Sequence, residues 1–172
     1  MKPRTIAWPL VGALLVLTAT QARAQEVSER DHVIVFELGA ANDWGLTGSA
    51  YNAGLTLAAE VTPIEHWLEL ESGVTALGTN GQHELEADFI FKKPWTLSSR
   101  AEFMAGLGPE VSWNLTGNNR KPSLATELET DFMYWASRDF GWFAEPTYSF
   151  TGFGSGSARS IGLSIGVIVG WP

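Results

Sequence analysis

Alternation limits what this chain can fold into more than any other feature of its sequence. From Val33 onward, apolar and polar side chains take turns with period two. No segment after residue 24 runs to 18 consecutive apolar residues. Period two belongs to a strand with two unlike faces, and no helical period of comparable length interrupts it. The pattern predicts eight strands: Val33–Ala41, Ala50–Val61, His66–Leu77, Gln82–Phe91, Leu97–Leu115, Ser123–Ala136, Phe140–Thr151 and Ala158–Trp171. The fifth is expected to bend near Gly106 to Pro109. A strand that crosses a bilayer at a tilt needs about 9–11 residues, which most of these segments reach.

The connections alternate in kind. Thr62–Glu65, Lys92–Thr96 and Ser137–Asp139 are short, and two of them carry proline. Asn42–Ser49, Gly78–Gly81, Thr116–Pro122 and Gly152–Ser157 are mostly longer, polar, and rich in Gly and Asn. Short turns at one end and looser loops at the other suit an up-and-down barrel whose ends face different compartments. An even strand count brings both termini to the short-turn end.

The first residues read differently. Lys2 and Arg4 precede a mostly apolar run from Ile6 to Ala19, and Ala22-Arg23-Ala24 supplies small residues around a cleavage point. Residues 1–24 are expected to be a secretory signal cleaved after Ala24, leaving 25–172 as one domain. That domain would carry eight basic residues against 19 acidic ones, a net charge of −11. Phosphate backbones demand Lys and Arg, so nucleic acid is excluded as a partner. The chain has no Cys, which excludes disulfides and thiolate metal sites.

Alternation alone does not say which face is inside. A soluble lipocalin-like barrel turns its apolar face inward, and a membrane barrel inverts this. In the eighth strand Ile161, Leu163, Ile165, Val167, Val169 and Trp171 share one face, against Gly162, Ser164, Gly166, Ile168 and Gly170. A Gly/Ser face makes a poor solvated surface, but in a narrow lumen it leaves room for long side chains from other strands. The seventh strand repeats the pattern, with Trp142, Ala144, Pro146, Tyr148 and Phe150 against Gly141, Phe143, Glu145, Thr147 and Ser149. The first opposes Ile34, Phe36, Leu38 and Ala40 to Val35, Glu37, Gly39 and Ala41. Aromatics sort to both ends: Trp67, Trp95, Tyr134, Trp142 and Trp171 near the short turns, and Trp44, Tyr51, Trp113, Tyr148, Phe150 and Phe153 near the loops. Two bands of amphipathic rings are expected at the two water–lipid interfaces.

On these features the chain resembles the small eight-stranded outer-membrane barrels, the class of the OmpA membrane domain and OmpX. The resemblance is architectural and covers residues 25–172. It implies a location in the bacterial outer membrane, contact with outer-membrane lipid, and a C-terminal strand (Ser160–Trp171) read by the barrel-insertion machinery. Members of that class usually end on an aromatic residue, whereas here Trp171 is penultimate and Pro172 last.

With the apolar face outward, thirteen carboxylates turn inward: Glu37, Glu60, Glu69, Glu71, Glu84, Glu86, Asp88, Glu102, Glu110, Glu127, Glu129, Asp131 and Glu145. The runs Glu84/Glu86/Asp88 and Glu127/Glu129/Asp131 each line one strand face. Arg100 is expected as counter-charge, with Lys92 as a second candidate. An eight-stranded barrel is just wide enough for its side chains, so shared protons, water or bound cations must settle the balance. The nominated cation-binding residues are Glu69, Glu71, Glu86, Asp88, Glu102, Glu127, Glu129 and Asp131. Oxygen-only ligands favour hard ions such as Ca²⁺ or Mg²⁺. In the sixth strand, Met133 and Trp135 share the face of Asp131 and leave its register open.

A hydrolase would need a His within reach of a nucleophile. The only histidines are His32, His66 and His83, and none sits in such an arrangement. His32, at a terminus, and His66, at a turn, suggest surface roles. Gly152-x-Gly154-x-Gly156 lacks the strand–helix unit of a nucleotide site. The expectation is therefore an integral outer-membrane barrel of structural or interaction type, not an enzyme and without a cofactor, with a strongly acidic lumen. Asn42–Ser49 and Thr116–Pro122 would be its partner surface. The alternatives are a cation-binding or narrow cation-selective transport barrel, and a soluble periplasmic binding barrel.

Overall fold

The structure is a computed structural model that describes residues 32–46, 50–79, 81–116, 122–151 and 158–172. The signal segment and its cleavage point, the loop Gly152–Ser157 with Phe153, and the tips of Asn42–Ser49 and Thr116–Pro122 lie outside the described residues. Eight strands follow in order: β1 (Ile34–Gly45), β2 (Tyr51–Ile64), β3 (Leu68–Thr79), β4 (Gln82–Ser98), β5 (Ala101–Asn114), β6 (Ser123–Trp135), β7 (Phe140–Phe150) and β8 (Arg159–Trp171). Each pairs antiparallel with the next. β8 returns to β1 from Ile34↔Trp171 to Gly45↔Ser160, so the sheet closes into a barrel without edges. Closure satisfies every ladder from within, which hydrocarbon requires of any spanning sheet.

The two faces separate as the alternation predicts. Outward-facing apolar side chains come from every strand, among them Leu38, Leu57, Val74, Phe91, Leu107, Phe132, Trp142 and Ile165. Leu55 is 63% exposed and Leu124 68%. Such a belt would be unsustainable in water, where contiguous exposed apolar surface drives association. From Ile34 to Trp44, at about 3.4 Å per residue and a tilt near 40°, the belt is about 25 Å tall, the height of a spanning apolar band. Aromatic rings border it. At the short-turn end, Trp95 pairs with Phe103 and Tyr134 with Trp142. At the loop end, the rings of Trp44 and Tyr51 lie 5.8 Å apart and those of Tyr148 and Phe150 6.1 Å apart. The soluble-barrel alternative required the reverse: Phe89 and Trp142 inward, Glu129 outward. Phe89 and Trp142 are exposed and Glu129 is buried, so it is corrected.

Small lumen residues make the predicted room. A Cβ added at Gly39 would sit 2.7 Å from Phe143 Cζ, and one at Gly166 would sit 2.6 Å from Phe143 Cε1. The glycines of β1 and β8 thus form a slot for one β7 ring. β6 keeps a continuous register, and Met133 and Trp135 do point inward with Asp131, all three fully buried.

Two predicted short turns are displaced: residues 62–64 close β2, so the β2–β3 reversal falls at residues 65–67, and the β4–β5 reversal comes later than expected. Lys92–Thr96 is not a turn; β4 runs on to Ser98, and the reversal falls at Ser99–Arg100. Pro94 is the residue that imitates a turn there. The β3 ladder ends at Glu69↔Lys92, so beyond that pair the β3 side of β4 has no partner and a missing N–H there costs no bond. The β2–β3 reversal carries the one strained non-glycine backbone among the described residues, His66 at φ 60°. Its carbonyl accepts a hydrogen bond from Lys93 Nζ.

Gly39→Val should lower the stability of the refolded barrel by about 1–3 kcal/mol through overpacking against Phe143. The lipid-facing neighbour Ala40→Val should leave the urea midpoint within measurement error. His66→Gly should raise that midpoint, because a non-glycine left-handed residue costs about 1–2 kcal/mol.

Candidate functional site

The lumen is layered along the barrel axis, and strand register fixes the layers. At the loop end, Asp43, Glu84, Glu86 and Glu110 border a vestibule of about 280 Å³. It narrows to a space of about 40 Å³ lined by Asp88, Glu127, Glu129, Glu145 and Glu71. Hydrogen bonds hold individual carboxylates of this funnel in place. Ser149 donates to Glu110, and the Gly73 N–H donates to Asp88 Oδ1 at 2.9 Å.

Below the funnel sits Lys92, 1% exposed. Its ammonium bonds to Glu71, lies 2.6 Å from Glu129 Oε1, 3.4 Å from Glu60 Oε1 and 3.6 Å from Asp131 Oδ2, and reaches Glu145 Oε2 at 4.0 Å. Five carboxylates from β2, β3, β6 and β7 converge on one β4 amine. Glu37 of β1 brings a carboxylate oxygen within 4.8 Å of those of Glu71 and Glu145 and is not among the ion-pair partners of Lys92. Taken as ionised, six carboxylates face one ammonium here. Both carboxylate oxygens of Glu60 and of Asp131, and Oε1 of Glu37, have no hydrogen-bond partner among the described residues.

A third layer closes the short-turn end. Val35, Met104, Met133, Trp135, Phe143 and Ile168 form one apolar cluster, each at most 2% exposed. His32 caps it, stacked on Trp135 with ring centroids 5.0 Å apart and its Nε2 3.3 Å from Asp139 Oδ1. The surface role expected for His32 is therefore corrected: the ring is buried, and Gly170 is small enough to let it in. Beside the cluster a separate mouth cavity of about 290 Å³ is lined by Glu69, Glu102, His66 and Lys93.

The eight nominated residues thus divide three ways. Glu71, Glu129 and Asp131 meet at Lys92; Glu86, Asp88 and Glu127 line the funnel; Glu69 and Glu102 face the opposite mouth. Arg100, expected as counter-charge, lies in the β4–β5 turn, and among the described residues it makes no ion pair. Lys92 holds that place instead. The parity of β4 carried the signal: Glu84, Glu86, Asp88, Ile90 and Lys92 form one uninterrupted face. Glu37, Glu60 and Glu145, expected in the lumen but outside the nominated cation set, belong to the Lys92 layer. Asp43, expected in a loop, lies on β1 and borders the vestibule.

A closed eight-stranded sheet with an apolar belt, two aromatic bands and a polar interior is the architecture of a transmembrane β-barrel, and it is the fold of the small outer-membrane barrels. Solved structures of that class are similar to this chain in fold. Neisserial surface protein A (NspA) superposes with a TM-score of 0.61 at 17% identity, over 80% of this chain and 96% of that one. The outer membrane protein OprG from Pseudomonas aeruginosa gives 0.57 at 13% identity, over 79% and 94%. Ail, the attachment invasion locus protein of Yersinia pestis, gives 0.53 at 9% identity, over 78% and 97%. No protein-family model and no curated protein matches the sequence.

Removing the Lys92 charge while keeping its stem, as in Lys92→Met, should destabilise the barrel by about 3–5 kcal/mol, because it strands buried carboxylates. Arg100→Met should change stability by no more than about 0.5 kcal/mol. Denaturant titration of both refolded variants checks the contrast.

Proposed function

We propose that this chain is an integral barrel of the bacterial outer membrane with a structural or interaction role rather than a catalytic one. Its lumen is a blind acidic well: among the described residues it widens towards the loop end, is closed by an apolar layer at the short-turn end, and is able to hold cations without passing them through. The observation that carries this reading is the layer of Val35, Met104, Met133, Trp135, Phe143 and Ile168 directly beneath the Lys92 network. Ion-conducting barrels need a continuous wet path, and acidic rings select cations only where such a path exists. Here the funnel narrows to about 40 Å³ before it meets a fully buried ammonium. The cation-selective transport alternative is the weaker one on this ground.

Work outside the lumen falls to the loop end, where Asn42–Ser49 and Thr116–Pro122 would meet a partner. The lipid belt anchors the barrel. The insertion machinery would read Ser160–Trp171, since β8 is the strand that completes the sheet.

Planar-bilayer recording tests the blind well. The refolded barrel should give no unitary current in KCl, and Trp135→Ala combined with Met133→Ala, which empties the plug, should give small cation-selective steps. Cation currents through the unmutated barrel would overturn the reading.

A further inference from the structure

Within the Lys92 layer, one carboxylate has no obvious reason to be there. Glu37 is 1% exposed, points into the barrel, and its Oε1 has no hydrogen-bond partner among the described residues. Its neighbours across the sheet are Ala58 on β2 and Ile168 on β8, neither of which offers a side-chain donor. An unpartnered buried carboxylate costs several kcal/mol unless something positive reaches it. Lys92 is engaged with five other acids and forms no ion pair with Glu37.

Glu37, Glu71 and Glu145 each offer a carboxylate oxygen, and the three oxygens lie within 4.8 Å of one another. Glu71 and Glu145 also line the narrow space at the foot of the funnel, so among the described residues the group faces the loop-end side of the lumen. We infer that Glu37, Glu71 and Glu145 form a binding site for a hard divalent cation of calcium size, filled from the loop side. This deepens the blind-well proposal and rests on its cation-holding part.

The chemistry selects the ion class. The set is all oxygen, with no imidazole or thiolate, which disfavours soft and borderline metals. Calcium takes six to eight oxygens at about 2.3–2.6 Å in a flexible geometry, so it tolerates carboxylates whose positions three different strands have already fixed. Magnesium demands near-ideal octahedral geometry and gives up its waters reluctantly, which carboxylates fixed by the barrel wall do not favour. A space of about 40 Å³ beside the carboxylates has room for the waters that complete a calcium shell. A divalent ion here also lowers the net charge of a layer in which six carboxylates meet one ammonium. The acidic funnel above concentrates cations at the entrance.

The test uses residues 25–172 refolded in detergent, with Tb³⁺ as the calcium-sized probe and tryptophan-sensitised luminescence as the readout. The expected result is one saturable site, displaced by Ca²⁺ and more weakly by Mg²⁺. Glu37→Gln keeps the shape, relieves repulsion and should weaken Tb³⁺ binding by about tenfold or more. Glu84→Gln in the vestibule should weaken it by less than about threefold through the long-range field alone. Ca²⁺ should also raise the urea midpoint of the unmutated barrel and not that of Glu37→Gln. Glu145→Gln provides the same comparison should Glu37→Gln lose its heat-modifiable gel mobility. Equal Tb³⁺ affinity in the unmutated barrel and Glu37→Gln, or no Ca²⁺ shift of the unmutated midpoint, overturns the site. The non-conducting part of the blind-well proposal stands or falls separately, in the bilayer recording.

Discussion

A single ammonium held among six carboxylates is the constraint on which the interior depends. Charges inside a membrane barrel sit far from bulk water, where Coulomb forces are several times stronger than at a protein surface. Like charges therefore cannot be gathered there without a compensating partner. Lys92 supplies that partner from one strand to acids on β2, β3, β6 and β7. Its long stem matters as much as its charge, because it carries the amine from the wall to the axis. The glycines of β1 and β8 are the counterpart: they thin the opposite wall where Phe143 needs room.

The same interior decides what the molecule can do. Polar lumens are compatible with pores, receptors and inert anchors alike, so the fold settles none of these. What distinguishes this lumen is its gradient from wet to dry. It passes from a funnel of half-buried acids, through a neutralised waist, to an apolar floor capped by the His32–Trp135 stack. A gradient of that kind has a direction, and it points the chemistry towards the loops. The exterior is symmetrical by comparison, with aromatic rings at both margins of the belt.

Most of the fold was legible because one physical rule, outward apolar and inward polar with period two, governs every strand. Strand number, order and face assignment all follow from it, and so does the inward placement of thirteen acids. What it could not supply was tertiary. Pro94 and the Lys92-Lys93 pair resemble a turn locally, and only the early end of β3 makes a proline tolerable there. Arg100 looked like a lumen base because the predicted fifth strand began too early at Leu97; the true start at Ala101 leaves Arg100 in the reversal. Trp135 and Met133 seemed to break the polar face of β6, yet they belong to the floor, which draws on β1, β5, β6, β7 and β8 and so has no local signature. His32 lies just before β1, where no period can place it.

The way the sheet closes has a consequence for assembly. The Lys92 contacts are drawn from β2 to β7, whereas the seam joins the two chain ends, β1 and β8. The charged waist can therefore form while the sheet is still a curling, unsealed ribbon, and its convergence on one amine pulls the ribbon towards a cylinder. Less is then left for the last event. Zipping Ile34–Gly45 to Ser160–Trp171 sets Val35 beside Ile168 in the floor. The most distant pairing in sequence, and by that measure the slowest, thus falls on strands whose arrival completes the lumen rather than founds it.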